Sequence, residues 1–245
     1  MKNFRLIPRL EVKSSKLIKG IQMEGLRIVG DPIDFIKKYS FEGADEIFYD
    51  DIVASLYNRK YDLDLIKKIS LHLNIPLIVG GGIKNIKSVS EIFNYGADRI
   101  SINSAALNTP KFIERIATTY GSQSIAVQIQ IKKLDDEYEV FSESGRERHN
   151  IKLFDWIEKV QNAGAGEIIF VFIDRDGMKG IADISLLKKI RKKTNIQIIY
   201  GGGVSSFNDI KMIYDAGFNG VCVSRALHHN KMSIKILKKK IEMVQ

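Results

Sequence analysis

The sequence has little of what would staple, anchor or metal-load a protein. It holds one cysteine, Cys222, so an intrachain disulfide is excluded and a reducing compartment fits. Cys222 sits in an apolar VCVS run and reads as packing. Four histidines are present, and no His, Cys and carboxylate spacing suits a metal ion. Prolines number four and no low-complexity tract interrupts the chain. No apolar run approaches the ~18 residues that a membrane span needs, and the opening MKNFRLIPRL lacks the apolar core of a signal peptide. The expectation is a cytoplasmic protein with no membrane contact, no metal and no cofactor.

What is there can bury a full core: 245 residues, 44% of them hydrophobic. The length is that of one (β/α)8 barrel. The formal charge is +9, but much of the excess lies in short runs at helical positions: Lys37-Lys38, Lys67-Lys68, Lys188-Lys189, Lys192-Lys193 and Lys238 to Lys240. These read as solvated helix faces rather than a nucleic-acid surface, with attraction of anionic substrates as a secondary role. Trp156 lies in a helical pattern and reads as packing, His72 as exposed or packing, and His228 and His229 as loop residues after the last strand.

One stretch occurs twice. VGGGIKNIKSVSEIFNYGADRISINSAAL (79–107) and YGGGVSSFNDIKMIYDAGFNGVCVSRAL (200–227) superimpose with a shift of 121 positions. The shift lays Gly80, Gly81 and Gly82 onto Gly201, Gly202 and Gly203, and Gly96 onto Gly217. Each copy reads as a βαβ unit whose strands end in small residues. Eight strand-like runs alternate with helical patterns along the whole chain, and their near-continuous apolar character implies a parallel sheet buried on both faces. The fold expected is α/β, a single (βα)8 barrel over 1–245 with half-barrel repeats of roughly 1–120 and 121–245. The stretch from Lys13 to Gly20 reads as a polar turn, and Asp31-Pro32 as the start of a helix.

Chemistry in such barrels sits at the strand ends. Those ends carry Glu11 and Lys13, Asp50-Asp51, Gly80 to Gly82, Asn103-Ser104, Gln130 and Lys132, Asp174 to Gly177, Gly201 to Gly203, and Ser224-Arg225. A glycine triplet lets a ligand approach the backbone, whose N–H groups can converge on an anion. Ser104, Asn103 and Ser224 can donate through their side chains. Two matching copies on one face suit a substrate with a phosphate at each end.

RLIPRLEVKSSKLIKG, GDPIDFIKKYSFEGADEIFYDDIVAS, the first glycine-triplet unit, YGSQS at 120–124 and GAGEIIFVFIDRDGMKG resemble the cyclase subunit of imidazole glycerol phosphate synthase (HisF) over essentially the whole chain. The resemblance implies a (βα)8 barrel paired with a glutaminase (HisH-like) subunit. Ammonia from that partner would pass through the barrel to a phosphorylated small-molecule substrate, a bisphosphorylated ribonucleotide, on the opposite face. It places one phosphate at Gly82, Asn103 and Ser104, and the other at Asp176, Gly177, Gly203, Ser224 and Arg225. It sets Lys19 and Asp51 near the substrate, and Arg5, Glu46, Arg99 and Glu167 in a ring at the ammonia entrance. Asp98 would face the glutaminase.

The sequence departs from that family where the cyclase acid/base pair belongs. Two aspartates are replaced by Glu11, one methylene longer, and by Gln130, whose amide does not titrate. Gly201 stands where serine is frequent, Arg225 adds charge where a small residue is usual, and DGMKGIAD (176–183) lacks the family's Ser-Gly-Tyr character. These changes favour a divergent subunit, and the resemblance, which extends to relatives that accompany sugar amidotransferases, implies delivery of ammonia to such a separate synthase, amidinating an acetamido sugar in surface-glycan synthesis. The cyclase of histidine biosynthesis is the alternative, and a non-enzymatic sugar-phosphate-binding scaffold is a third reading.

Overall fold

Eight parallel strands close on one another around a common axis in the computed structural model, which describes residues 1, 3–57, 59–135 and 137–243. The barrel strands are β1 (Arg5–Lys13), β4 (Ile47–Asp51), β5 (Leu77–Gly80), β6 (Arg99–Ile102), β7 (Ile125–Leu134), β10 (Glu167–Phe172), β11 (Gln197–Gly201) and β12 (Gly220–Val223). Each pairs in parallel with the next, and β12 returns to β1 with Arg5 opposite Gly220. The expected (βα)8 barrel is therefore the fold.

Helices start where the sequence offers caps. In α1 (Pro32–Phe41), Asp31 accepts from the Ile33 N–H at 2.9 Å and Pro32 fills the first turn. In α2 (Leu63–Ser70), Asp62 accepts from Leu65. Asn85 caps α3 (Ile86–Asn94), and Ser206, at the equivalent place, caps α8 (Phe207–Asp215) in a reciprocal pair with Asp209. The lysine runs fall on solvated faces, as expected: Lys67, Lys68, Lys188, Lys189, Lys192 and Lys193 are all exposed. Trp156 is buried in α6 (Leu153–Asn162), as its pattern indicated.

Two apolar clusters hold the layers. Leu6, Leu10, Tyr39, Ile47, Ile168 and Trp156 belong to the one between strands and helices. Ile7, Phe48, Ile78, Ala126, Ile169, Ile199 and Cys222 belong to the other, inside the barrel. Alternation along β1 therefore sends Arg5, Ile7, Arg9 and Glu11 inward in succession from floor to face.

The 121-residue shift is visible in the backbone. Gly81 and Gly82 have φ of 100° and 68°, and Gly202 and Gly203 have 115° and 77°. Asp98 accepts from the Leu77 N–H at 2.8 Å, and Asn219 accepts from the Ile198 N–H at 2.9 Å. Both pairs are related by the shift. Asp98 is exposed beside the strand starts, on the floor side.

Three features differ from the expectation. The stretch read as a polar turn builds a hairpin, β2 (Lys16–Ile21) with β3 (Glu24–Gly30), and Lys19 lies in it. Left-handed Ser14 and Ser15 turn β1 into β2, and left-handed Gln22 and Met23 turn β2 into β3, which no run of glycines announces. A second hairpin, β8 (Glu137–Ser142) with β9 (Glu147–Lys152), extends β7 and folds its tip over the barrel face. His228 is not a loop residue. It is buried in the short helix α9 (Arg225–His228), between Tyr39 and the backbone of Arg9.

Candidate functional site

The strand ends gather two glycine cradles on one face. The first comprises Gly81, Gly82, Asn103 and Ser104, with Asp50 and Asp51 beside it. The second comprises Gly201 to Gly203, Asp176, Gly177, Ser224 and Arg225, with Arg9 and Lys19 beside it. Gly203 shows why the residue type matters: a Cβ there would stand 2.1 Å from the Gly180 carbonyl oxygen, in a left-handed backbone. Asn103 and Ser224 have matching conformations, φ −128° and −118°, and each leads into a short helix, α4 (Ser104–Asn108) and α9. Arg225 is exposed and donates from Nη1 to the Gly177 carbonyl. Asn103 is held by bonds from its amide to the carbonyls of Gln128, 3.0 Å, and Phe141, 3.2 Å.

Between the cradles lies a buried ion cluster. Lys19 Nζ donates to both oxygens of Glu11 at 2.7 Å, and to Asp176 at 2.8 and 2.9 Å. Arg9 reaches Glu11 at 3.3 Å and gives Nε and Nη2 to Asp50 Oδ2 at 3.2 and 2.8 Å. Burial pushes the Glu11 carboxyl above its ordinary range, with Asp176 adding to the shift and Lys19 and Arg9 opposing it. A carboxyl displaced toward neutrality is suited to give and take protons. Burial alone would lower Lys19, but Asp176 and Glu11 outweigh it and hold the ammonium form.

Gln130 has both ends of its amide occupied. Its Oε1 accepts from the Gly145 N–H and its Nε2 donates to Gln128 Oε1, each at 2.8 Å. Gln128 in turn donates to Asp50 Oδ2 at 2.9 Å. A string of polar contacts thus runs from the tip of the second hairpin through Gln130, Gln128, Asp50, Arg9, Glu11 and Lys19 to Asp176. Asp51 points elsewhere: it accepts from Val53 N–H at 3.3 Å and Arg59 at 3.4 Å, at the wall of the first cradle. Burial raises its carboxyl against those donors.

The opposite face carries the expected ring. Arg5 bonds Glu46 at 2.9 Å and also Glu167. Arg99 lies 3.5 Å from Glu46 and 2.8 Å from Glu167. Gln197 joins as an acceptor for Arg5 at 2.9 Å. Burial raises the Glu46 carboxyl, and Arg5 and Arg99 oppose the shift.

Sequence reasoning missed Arg9, Gln128 and the hairpin tip at Glu143 and Ser144. The signal for Arg9 was present, since it lies two residues from Glu11 on a strand and shares its inward face. Among the described residues, no group of three or more His, Cys, Asp or Glu could hold a metal ion, and no helix is long and apolar enough to cross a membrane.

Residues 5–233 match the model of the family described as histidine biosynthesis protein. The chain is 38% identical over 234 residues to the imidazole glycerol phosphate synthase subunit HisF of Thermotoga sp. (strain RQ2), covering 96% of this chain and 92% of that protein. It is 37% identical over 235 residues to the subunit of the same name from Natranaerobius thermophilus, covering 96% and 94%. It is 40% identical over 225 residues to that of Pelodictyon phaeoclathratiforme, covering 92% and 90%.

Proposed function

Because the chain belongs to the histidine biosynthesis protein family, we propose that it works as a HisF-like cyclase-type subunit of imidazole glycerol phosphate synthase. In this reading a glutaminase docks at the floor, around Arg5, Glu46, Arg99, Glu167 and Asp98. The two cradles hold the phosphates of a bisphosphorylated ribonucleotide, with Gly82, Asn103 and Ser104 at one end and Asp176, Gly177, Gly203, Ser224 and Arg225 at the other. The observation that carries the reading is Glu11, a carboxyl set between two anion cradles, raised by burial and bonded to Lys19. Glu11 is the proton carrier, Lys19 holds it in register with Asp176, and Gln130 orients it through the polar string. The names of the relatives favour this cyclase reading over the surface-glycan role that the substitutions at 11 and 130 suggested.

The test is turnover of the bisphosphorylated ribonucleotide with free ammonium chloride. Turnover is expected, and none would sink the cyclase reading. Gln130→Ala should lower it without abolishing it, since an amide orients and does not shuttle protons. The pair Glu11→Asp and Gln130→Asp should raise it.

A second reading is favoured by one observation: both ends of the Gln130 amide are committed to protein groups. A subunit that lacks a second proton carrier suits delivery of ammonia to a separate synthase, such as a sugar amidotransferase. Co-purification discriminates. A glutaminase alone supports the cyclase pair; a glutaminase with a sugar amidotransferase supports delivery.

A further inference from the structure

The two cradles differ in charge. The second sets Arg9, Lys19 and Arg225 against Asp176, whereas the first is lined by Asp50, Asp51 and Glu143 and, among the described residues, by no cation. Asp50 is answered by Arg9 and Asp51 by Arg59. Glu143 is the exception: its Oε2 is buried and has no hydrogen-bond partner among the described residues. A buried carboxylate oxygen left without a donor is costly, so it marks a place that a ligand completes.

The hairpin tip that carries Glu143 is pinned on three sides. Ser144 Oγ donates to the Ile52 carbonyl, the Gly145 N–H donates to Gln130 Oε1 at 2.8 Å, and a Cβ at Gly145 would stand 3.2 Å from Ile173. Glu143 itself takes a left-handed φ of 49°. Such a backbone in a residue other than glycine persists where its surroundings fix it. The tip thus holds the carboxylate at the first cradle's own pocket, which Gly82 and Ser104 also line. The amide donors of that wall are already spent: Asn103 on two carbonyls, Gln130 on Gln128, and Gln128 on Asp50. Glu143 also borders the adjoining cavity of about 460 Å³, and Ser55 and Ser104 line both, so a sugar has room beside it.

A phosphate cannot satisfy Glu143, since phosphate oxygens and an ionised carboxylate are both acceptors. A hydroxyl beside the phosphate can. We propose that Glu143 selects a hydroxyl-bearing sugar phosphate at the first cradle, its carboxylate accepting from the sugar hydroxyls while Gly82 and Ser104 hold the phosphate. Glu143 is then a specificity-determining residue: it makes the cradle poor for a plain alkyl phosphate and good for a ribose phosphate. The inference rests on the phosphate reading of that cradle, but its test needs neither turnover nor a glutaminase.

The experiment is an NMR titration of the full chain with ribose 5-phosphate and, separately, with ethyl phosphate, which carries the same phosphate and no hydroxyl. The amides of Gly82 and Ser104 report the first cradle, and those of Gly203 and Ser224 the second. At the first cradle the native chain should bind ribose 5-phosphate about tenfold more tightly than ethyl phosphate, the worth of one hydrogen bond to a charged group. Glu143→Ala should bring the two affinities together by weakening ribose 5-phosphate, and should leave the second cradle unchanged. Glu143→Gln, which keeps the shape and an acceptor but not the charge, should give an intermediate ratio. Equal affinities in the native chain, or the native ratio kept in both variants, would overturn the role of Glu143 and leave the cradle standing. Binding of neither ligand at Gly82 and Ser104 would overturn the phosphate reading of the cradle, and this inference with it.

Discussion

At the floor of the barrel Arg5 and Arg99 face Glu46 and Glu167, two cations and two carboxylates. At the centre Arg9 and Lys19 face Glu11, Asp50 and Asp176. Both are closed ion clusters on one axis, but they answer to different solvents. The arginine side chains of the floor keep 18% and 15% of their surface exposed, so water shares the work of solvating them. The side chains of Arg9 and Lys19 keep 3%, so the protein alone must do it. A balanced ring near solvent suits a barrier and a docking face. An acid-rich cluster away from water suits proton handling.

The contrast can be broken most sharply at the centre. Arg9→Met would strand Asp50 as a buried carboxylate, while Lys19 still holds Glu11, and should cost about 3–5 kcal/mol of stability, measured by urea unfolding. The double variant Arg9→Met, Asp50→Leu should recover much of that loss, because an apolar pair of similar volume replaces a buried ion pair without penalty. A single variant as stable as the native chain would show that Arg9 is not what neutralises the centre.

At the floor the effect should be smaller. Glu167→Gln removes one charge from Arg5 and Arg99, which solvent still reaches, and should cost about 1–3 kcal/mol. It should also lower glutamine-dependent turnover, measured with the glutaminase, more than turnover with free ammonium. An equal loss in both assays would remove the floor from the ammonia route.

A further effect, confined to acid pH, sharpens how Arg9 is held. His228 Nε2 bonds the Arg9 carbonyl at 3.1 Å and its Nδ1 bonds Tyr39 Oη at 2.7 Å. Burial, aided by the Lys19 charge, pushes the imidazole down to about 3 from 6.5. The folded state thus keeps it neutral where the unfolded state would take a proton. Its contribution to stability is fully present above pH 6.5 and is lost as the pH falls toward 3. That loss should run at about 1.4 kcal/mol for each pH unit. His228→Phe should flatten this acid limb in thermal unfolding curves. A limb of unchanged slope would mean that other groups set it.

The same comparison explains what could be read from the sequence. The floor ring came through the resemblance, and the places of Arg5, Arg99 and Glu167 at strand starts, with Glu46 and Glu167 121 positions apart, agreed with it. The cradles were legible because the glycine triplet occurs twice, at matching strand ends 121 positions apart. The centre was only half legible. Glu11 and Asp50 stood at strand ends and Lys19 came through resemblance, but Arg9 lies inside a strand, where the pattern predicts apolar residues. Its pairing with Asp50 spans 41 positions and leaves no local signal. The two hairpins escaped for a related reason: their turns put Gln22 and Met23, and Glu143 and Ser144, in the left-handed region, with Gly145 the one glycine of the second turn.

The most direct measurement is the turnover of the bisphosphorylated ribonucleotide with free ammonium, compared between the native chain and Glu11→Gln. Glutamine keeps the shape and the Lys19 contact but cannot carry a proton. A fall of about 100-fold or more, the usual worth of a positioned acid or base, is the result expected if Glu11 works between the two cradles. Equal turnover in the two proteins would contradict it.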